Sequence, residues 1–169
     1  MINFEKDVMP LKNKFYRLAL RVLRNNAEAQ DITQETLIRL WKRSATLQDG
    51  AEAEALGMTI CHNLALDTLG RAGRDYEQLD NQTDTIVSDH GASPHDDLTR
   101  QEQRQQLRRQ IDLLPTRQRT VLQLRDIEGY SYKEIAETLN INEEQVKVTL
   151  FRARQALKLS LQNKAYHGL

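Results

Sequence analysis

The sequence has few of the residues that cross-link a chain or interrupt its secondary structure. Its 169 residues include one cysteine, three prolines and seven glycines, and aromatic residues make up 5% of the total. The lone Cys61 excludes an internal disulfide, and we interpret it as a buried apolar thiol. With 39% hydrophobic residues available for small cores, the scarcity of glycine and proline favours an all-α protein.

Long apolar runs and sequence signatures of catalysis are also missing. No run approaches the roughly 20 residues that span a bilayer, and charges are spread through residues 1–20, so we expect neither a membrane span nor a signal peptide. The expected location is the cytoplasm. The sequence contains no Gly-rich phosphate loop, no metal-ligand cluster and no nucleophile with a placed base. We therefore expect no enzyme activity, no cofactor, no metal and no small-molecule substrate.

Charge is segregated along the chain, although the net charge is zero. Residues 1–74 carry 11 Lys and Arg against 9 Asp and Glu, residues 75–99 carry none against 7, and residues 100–169 carry 13 against 8. This pattern predicts two small, mildly basic domains, 1–74 and 100–169, joined by an acidic flexible linker over 75–99. Two basic domains suit an anionic partner, but ordinary solvated surfaces explain the charges equally well.

Hydrophobic spacing predicts three helices in the first domain. A first amphipathic helix, ending near Asn25, carries one apolar stripe: Phe4, Val8, Leu11, Phe15, Leu18 and Val22. A second helix begins at Asn26, ends near Arg43 and is expected to bury Ile32, Leu37, Leu40 and Trp41. A third helix from about Glu52 to Leu69 is expected to face inward with Leu56, Ile60, Leu64 and Thr68.

The second domain is predicted to be a helical bundle that contains a helix-turn-helix. Pro115 is well placed to open a helix that stops near Gly129. Ser131 and Glu134 have the spacing of a capping box, which opens a short helix. After a three-residue turn, Asn142 and Gln145 form a second box of the same kind, which opens a longer helix. The longer helix is expected to face inward with Val146, Leu150, Ala153 and Leu157.

The outer face of that longer helix supplies the candidate DNA contacts. In a helix-turn-helix the second helix enters the major groove with its N-terminal residues foremost. The candidate base readers on this face are Glu144, Gln145, Lys147, Val148, Phe151 and Arg152. Arg152, Arg154 and Lys158 add positive charge suited to phosphate contacts. An ordinary helical hairpin with a solvated basic face is the alternative interpretation.

These residues resemble region 4 of the sigma-70 family of RNA polymerase factors. The resemblance is carried by Tyr132-Lys133-Glu134-Ile135-Ala136, Val146-Lys147 and Phe151-Arg152-Ala153-Arg154. Upstream, Leu114-Pro115 followed by Gln118-Arg119 is similar to the start of the same domain. The resemblance implies that this domain reads the minus-thirty-five promoter element and that its opening helices contact the polymerase beta flap.

Residues 29–41, Ala-Gln-Asp-Ile-Thr-Gln-Glu-Thr-Leu-Ile-Arg-Leu-Trp, resemble region 2 of the same family. The resemblance implies an acidic helix that grips the coiled coil of the polymerase beta-prime subunit. The residues that we assign to this contact are Asp31, Gln34, Glu35, Ile38 and Lys42. Asp31, Glu35, Ile38 and Lys42 fall on one helical stripe with Gln34 beside it. A merely solvated face remains the alternative.

The third helix resembles the part of region 2 that melts and captures the minus-ten element. The resemblance implies a base pocket at Asn63, a structural or DNA-proximal role for Asp67, and DNA-backbone contacts from Arg71 and Arg74. It also implies that the loop over 48–53 helps to choose the captured base. His62 is interpreted as a surface or packing residue rather than as a catalytic or metal-binding one.

The order of the two matching domains is that of the small extracytoplasmic-function (ECF) type of sigma factor. That type implies core RNA polymerase and promoter DNA as partners and an anti-sigma factor as regulator. Glu144-Gln145 and Val148-Thr149 depart from the common pattern of the recognition helix, so we expect a promoter sequence particular to this protein. The rival hypothesis is a helix-turn-helix regulator that acts without core polymerase, and residues 27–43 discriminate between the two.

Overall fold

The computed structural model describes residues 1–73 and 99–167, with side chains up to residue 163. Every regular element in these residues is helical, which confirms the predicted all-α class. The predicted linker over 75–99 lies outside the described residues except for Thr99, and Arg74 lies outside them too. Among the described helices, none has the length and apolarity needed to cross a membrane. Residues 1–73 are called the N-terminal half below, and residues 99–167 the C-terminal half.

The first predicted helix is divided into three pieces. A π-helical turn over Phe4–Val8 and a 3₁₀ turn over Met9–Leu11 precede helix α1, Lys12–Leu23. Pro10 lies in the 3₁₀ turn and has no backbone N–H to donate, which interrupts the α-helical ladder at this point. The predicted stripe nevertheless lies inward, because Val8, Phe15, Leu18 and Val22 are fully buried.

Helix α2 spans Asn26–Lys42 and helix α3 spans Gly50–Arg71, with a 3₁₀ turn over Ser44–Thr46 between them. Asn25 and Asp49 are the N-caps, and their side chains accept from the backbone N–H three residues on. Helices α1, α2 and α3 pack on one another in a three-helix body. The second and third predicted helices are confirmed, with α3 beginning slightly earlier than predicted, whereas the first is α-helical only from Lys12.

The inward face of α3 is not the one that the sequence predicted. Leu56, Ile60, Leu64 and Thr68 are only partly buried, and the buried face is mainly a neighbouring stripe of small residues. This stripe consists of Ala53, Gly57, Cys61 and Ala65. A Cβ built at Gly57 would lie 2.3 Å from the Cζ atom of Phe15, so only glycine lets α1 approach this closely. The small residues of α3 are therefore the ones buried, because they let α1 approach closely, even though the neighbouring stripe has larger apolar side chains.

Trp41 was predicted to be buried and is instead 61% exposed. Its ring stands edge-on to Phe4, with centroids 5.1 Å apart and planes at 87°. The buried side of α2 is completed by Thr33 and Thr36, whose hydroxyls donate to backbone carbonyls one turn earlier. Those internal bonds satisfy the threonine hydroxyls, which lets polar residues occupy positions that hydrophobicity alone would not assign to the core.

The C-terminal half contains four helices. They are α4 (Arg100–Asp112), α5 (Thr116–Leu122), α6 (Tyr132–Leu139) and α7 (Glu143–His167), and a π-helical turn over Gln123–Ile127 extends α5. Pro115 is the residue immediately before α5 rather than its first residue. Thr99 and Glu102 form a capping box at the start of α4. Val121, Leu124, Ile135 and Leu150 are buried in the core.

The two halves are packed against each other. Helix α1 contacts α5, and helix α3 contacts α6. Arg119 of α5 is 1% exposed, and its guanidinium donates to the carbonyls of Arg21 and Val22 in α1 and of Leu114 in its own half. The contact between the halves is therefore polar at its centre, as is common where domains of one chain meet.

Candidate nucleic-acid and protein interfaces

The helix-turn-helix is set by two reciprocal capping boxes. At the start of α6, the Ser131 backbone N–H donates to the Glu134 carboxylate at 2.8 Å, and the Glu134 N–H donates to the Ser131 hydroxyl at 3.0 Å. At the start of α7, the Asn142 N–H donates to the Gln145 side-chain oxygen at 2.9 Å, and the Gln145 N–H donates to the Asn142 side-chain oxygen at 2.8 Å. Asn140 ends α6 in the left-handed region, at φ +56°. Asparagine tolerates this conformation better than most residues. The turn is therefore fixed by local chemistry, as the sequence predicted.

The outer face of α7 presents most of the predicted DNA-contacting side chains together. Val146, Leu150 and Ala153 hold the helix to the core, while Val148 and Phe151 are 45% and 66% exposed on the opposite side. The polar members of the set are Glu144, Gln145 and Lys147, all exposed, and Arg152, which is half-buried. Lys147 lies 3.7 Å from the Glu144 carboxylate and 5.7 Å from the Tyr132 ring centroid. This face offers apolar, cationic and amide groups within three turns.

Arg154 is placed differently from the other predicted DNA contacts. Its guanidinium makes a two-pronged ion pair with Asp126, at 2.6 and 3.1 Å. The hydrogen bond from Arg154 to Asp126 raises the pKa of the arginine above its ordinary value, although partial burial opposes the shift. Arg154 therefore joins α7 to the turn that follows α5, and much of its charge is balanced by Asp126.

On α2, the five residues predicted for a protein contact lie along the outer side. Asp31, Gln34 and Lys42 are exposed, Ile38 is 46% exposed, and Glu35 is half-buried. Glu35 accepts from Arg39 at 3.0 Å, an exposed pair one turn apart. Trp41 adds a large apolar surface beside Ile38, one turn away. An exposed isoleucine and tryptophan beside carboxylates make a surface suited to a protein partner.

On α3, Asn63, Asp67 and Arg71 are exposed along one stripe at four-residue spacing. The fourth predicted member, Arg74, lies outside the described residues. Asn63 is next to His62, which is buried in the helix junction. Burial, together with the positive charge of Arg117, lowers the pKa of His62 to about 4, although a hydrogen bond to Asn63 opposes the shift. His62 is a packing residue, in agreement with its interpretation from the sequence.

The loop over 48–53 opens into a cavity of about 530 Å³ between the halves. Thr46, Leu47, Ala51 and Glu52 line it on one side, and Tyr130, Glu134, Glu137 and Thr138 line it on the other. Glu54, between these walls, accepts hydrogen bonds from Lys14 and from the Tyr130 hydroxyl. The predicted base-selecting loop is thus faced by helix α6 and by several carboxylates.

Cys61 has the role that the sequence predicted. Its Sγ donates to the Phe15 carbonyl at 3.2 Å, and burial raises the pKa of the thiol to about 12, which hydrogen bonding only partly offsets. The thiol is therefore protonated at neutral pH and unreactive.

Three residues of the surfaces and the junction were missed by the sequence interpretation. Trp41 was assigned to the core, and its spacing of three residues from Ile38 was the signal that could have placed it outside. Arg119 and Glu54 received no structural role, because nothing in local periodicity reveals a polar side chain that is bonded across two halves of a chain. Only the packed structure identifies them.

Two family models match the chain. Sigma-70 region 2 matches residues 8–75, and Sigma-70, region 4 matches residues 104–157. The first covers the helices that carry the α2 and α3 surfaces, and the second covers the helix-turn-helix. The resemblance predicted from short motifs is confirmed over both halves.

Curated relatives cover most of the chain. The ECF RNA polymerase sigma factor SigE of Mycolicibacterium smegmatis is 33% identical over 161 residues, which cover 94% of this chain and 61% of SigE. SigW of Bacillus subtilis, also an ECF RNA polymerase sigma factor, is 32% identical over 161 residues, which cover 90% of this chain and 85% of SigW. The chain therefore spans about three fifths of SigE and most of SigW.

A solved structure shares the fold. The co-crystal structure of the sigma factor RpoE in complex with the anti-sigma factor NepR from Bartonella quintana matches with a TM-score of 0.71 and 19% identity. The match covers 94% of this chain and 96% of that chain. At this identity the likeness concerns the arrangement of helices.

Proposed function

Because the chain belongs to the extracytoplasmic-function sigma factors of RNA polymerase, we propose that it binds core RNA polymerase and directs the enzyme to particular promoters. The observation that carries the proposal is the presence, in one chain, of an exposed acidic and apolar face on α2 and an exposed recognition face on α7. A promoter-specificity subunit needs one surface for the polymerase and another for DNA. We propose no reaction for the protein itself, since members of this family are initiation factors, and we place its action in the cytoplasm.

The polymerase contact is assigned to α2. Asp31, Gln34, Glu35, Ile38 and Lys42 would meet the beta-prime coiled coil, with Trp41 extending the apolar part of the contact. Carboxylates on the helix surface would orient the partner and speed its association. The exposed Ile38 and Trp41 would supply the apolar surface that the contact buries. The opening helices of the C-terminal half, α4 and α5, are assigned to the beta flap.

Promoter reading is divided between α3 and α7. Asn63, Asp67, Arg71 and Arg74 would handle the unpaired minus-ten strand, together with the loop over 48–53. Single-stranded bases can be splayed into protein pockets and read on their edges, as in other proteins that recognise unpaired nucleic acid. The domain bounds that we propose are 1–74 and 100–169, joined by the acidic segment 75–99.

The minus-thirty-five duplex is assigned to α7. Glu144, Gln145, Lys147, Val148 and Phe151 would lie against base edges, and Arg152 would contact phosphate. Arg154 would contribute mainly by fixing α7 through Asp126, with its exposed edge near the phosphates. We also propose that an anti-sigma factor regulates the protein, by analogy with the similar RpoE, which was crystallised in complex with the anti-sigma factor NepR.

Reconstitution with core polymerase tests the proposal. The purified chain should bind core RNA polymerase and allow initiation from promoter DNA that core alone ignores. A regulator that acts without polymerase would bind duplex DNA through α7 but would neither associate with core nor alter where it initiates. Substitution at Asp31 separates the two functions, because it should remove polymerase binding and leave DNA binding by α7 intact.

A further inference from the structure

A second cavity, of about 510 Å³, lies between helix α1 and the C-terminal half. None of the described residues assigned above to DNA, or to the polymerase contact on α2, lines it. Pockets for small ligands typically measure about 300–1,000 Å³. The cavity is therefore large enough to hold one small organic molecule.

The cavity is rich in guanidinium groups. Among the described residues that line it, Asp112 supplies the one carboxylate. The five arginines of the lining come from α1, from the residue that ends it and from α4: Arg17, Arg21, Arg24, Arg104 and Arg108. Five positive charges that face one negative charge favour an anionic occupant.

Three of these arginines have no carboxylate partner among the described residues. Arg24 donates to the Asp112 backbone carbonyl at 2.9 Å, and Arg104 and Arg108 are exposed on α4. A guanidinium offers five N–H donors in a planar fork that matches the oxygens of carboxylates and phosphates. Most of the donors of these three side chains are therefore available to a ligand.

The other two arginines are held in place by hydrogen bonds. Arg17 makes a two-pronged pair with Glu128, at 2.8 and 2.9 Å. Arg21, whose side chain is 13% exposed, donates to Asp112 at 3.0 Å and to Gln123 at 2.8 Å. Side chains that are already ordered lose little conformational entropy when a ligand binds. This wall of the cavity is therefore preorganised.

The buried Arg119 reports the local excess of positive charge. Its guanidinium donates to the Arg21 backbone carbonyl, so it adjoins the wall of the cavity. Burial, together with the positive charges of Arg24 and Arg21, lowers the pKa of Arg119 to about 9, although Asp112 opposes the shift. An anion in the cavity would offset this repulsion between cations.

The cavity also has an apolar side. Leu20, Leu107, Ile111 and Ile127 line it, and Leu107 and Ile127 are 38% and 49% exposed. Flat nucleobases stack against apolar side chains and guanidinium planes in proteins that bind nucleotides. A bare inorganic anion would leave this apolar side unused, whereas a nucleotide would cover it.

We propose that this cavity binds a nucleoside polyphosphate. The phosphates would lie against Arg24, Arg104 and Arg108, and the base would cover Leu107 and Ile127. A DNA duplex or an acidic helix of a partner protein carries the same sign of charge, but a cavity of about 510 Å³ is matched to a single small molecule. The inference does not rest on the proposed function, because neither polymerase nor promoter enters it.

Titration with fluorescent nucleotides tests the site in the full chain. The probes are the N-methylanthraniloyl derivatives of ATP and GTP, and fluorescence anisotropy measures their binding. Arg104→Gln and Arg108→Gln should each weaken binding of the better-bound probe about tenfold, because a charge-assisted contact with phosphate is lost. Circular dichroism checks that each variant keeps its helix content.

Arg109→Gln is the matched control. It removes the same charge from the next position of α4, which does not line the cavity. Because salt screens exposed charges that lie away from the ligand, the affinity should stay within about twofold of the native value. Equal losses in the Arg104→Gln, Arg108→Gln and Arg109→Gln variants would overturn the site in favour of a general attraction to net charge.

Competition separates the two parts of the proposed ligand. Unlabelled ATP or GTP should displace the probe, and the nucleoside alone should not. Inorganic tripolyphosphate should displace it about tenfold more weakly than the nucleotide, because it cannot cover the apolar side. Leu107→Ser should weaken nucleotide binding about fivefold and leave tripolyphosphate binding unchanged.

The other outcomes would contradict the proposal. No binding of either probe at concentrations up to about 1 mM would exclude the site. Equal displacement by nucleotide and tripolyphosphate would show a general anion site without a place for the base. Displacement by single-stranded DNA or by a polyglutamate peptide that is stronger than displacement by the nucleotide, and that depends on Arg104 and Arg108, would assign the cavity to nucleic acid or to a partner protein instead.

Discussion

Helices α2 and α5 differ in where they place most of their polar residues: α2 exposes them to solvent, and α5 buries them. On α2, Asp31, Gln34 and Ile38 lie exposed on an outer face, whereas on α5 the polar Thr116, Gln118, Arg119 and Thr120 are all buried. The exposed face of α2 also includes Ile38 and Trp41, which are 46% and 61% exposed, and the Trp41 ring stands edge-on to Phe4. On α5, the Arg119 guanidinium and the Thr120 hydroxyl donate to backbone carbonyls. The difference fits the proposal that the outer face of α2 meets a partner, whereas Arg119 of α5 bonds the two halves to each other.

Charge reversal on α2 should have the largest effect. Asp31→Lys should weaken binding to core RNA polymerase about 100-fold, because close interfacial charge pairs couple by several kcal/mol. Surface plasmon resonance with immobilised core polymerase measures the change. Glu143→Lys, the same charge reversal on the first turn of α7, should leave polymerase affinity within about twofold of the native value. Equal losses in both variants would show that net charge, and not the α2 face, governs binding.

Loss of a cation on α7 should have a smaller effect, confined to DNA. Arg152→Ala should weaken binding to a minus-thirty-five duplex about tenfold and reduce the slope of log affinity against log salt by about 0.9, because one phosphate contact is lost. Fluorescence anisotropy of polymerase-bound protein measures both quantities. Lys12→Ala removes the same charge from α1 and should change neither. A tenfold loss with an unaltered salt slope would contradict a phosphate contact.

Removal of the Asn142 side chain that caps α7 should lower the free energy of unfolding without removing a DNA-contacting group. Asn142→Ala loses a side chain that accepts from the Gln145 N–H at 2.8 Å, and N-cap losses of this kind cost about 1 kcal/mol. Urea unfolding of the full chain measures the change. Asn13→Ala, at an exposed position in α1, should change the free energy of unfolding by less than about 0.5 kcal/mol.

Acidification should have the smallest effect. Because burial lowers the pKa of His62 to about 4, the folded chain is favoured while the histidine stays neutral, and this contribution is lost as pH falls below about 6.5. Between pH 7.5 and pH 6 the free energy of unfolding should fall by less than about 1 kcal/mol from this group. Glu128 acts in the same direction: burial would raise its pKa, but bonds from Arg17 and Gln123 lower it overall. In the His62→Gln variant the free energy of unfolding should fall less steeply between pH 7.5 and pH 6. An unchanged pH dependence would exclude His62 as the source of the decline.

The parts of the fold that depend on local chemistry could be predicted from the sequence. Ser131 with Glu134 and Asn142 with Gln145 indicate helix starts by spacing alone. Of the predicted apolar stripe of α7, Val146, Leu150 and Ala153 are buried and Leu157 is partly buried. These signals need no knowledge of distant parts of the chain. The helix-turn-helix and its exposed outer face were therefore predicted correctly.

The parts that depend on tertiary packing could not be predicted. The inward face of α3 follows Gly57 and its small neighbours because Phe15 of α1 fills the space. Trp41 lies outside with its ring edge-on to Phe4, while Thr33 and Thr36, whose hydroxyls donate to backbone carbonyls, are buried on the inner side of α2. Arg119 has no local sequence signal for its role between the halves, since two of its three acceptors are carbonyls 97 and 98 positions away.

Promoter-specific initiation by reconstituted polymerase is the most direct measurement. Core RNA polymerase with the native chain should initiate at a discrete set of genomic promoters, and core with the Asp31→Lys variant should not. Initiation at the same sites by core alone, or stable duplex binding by the chain with no association with core, would contradict the account.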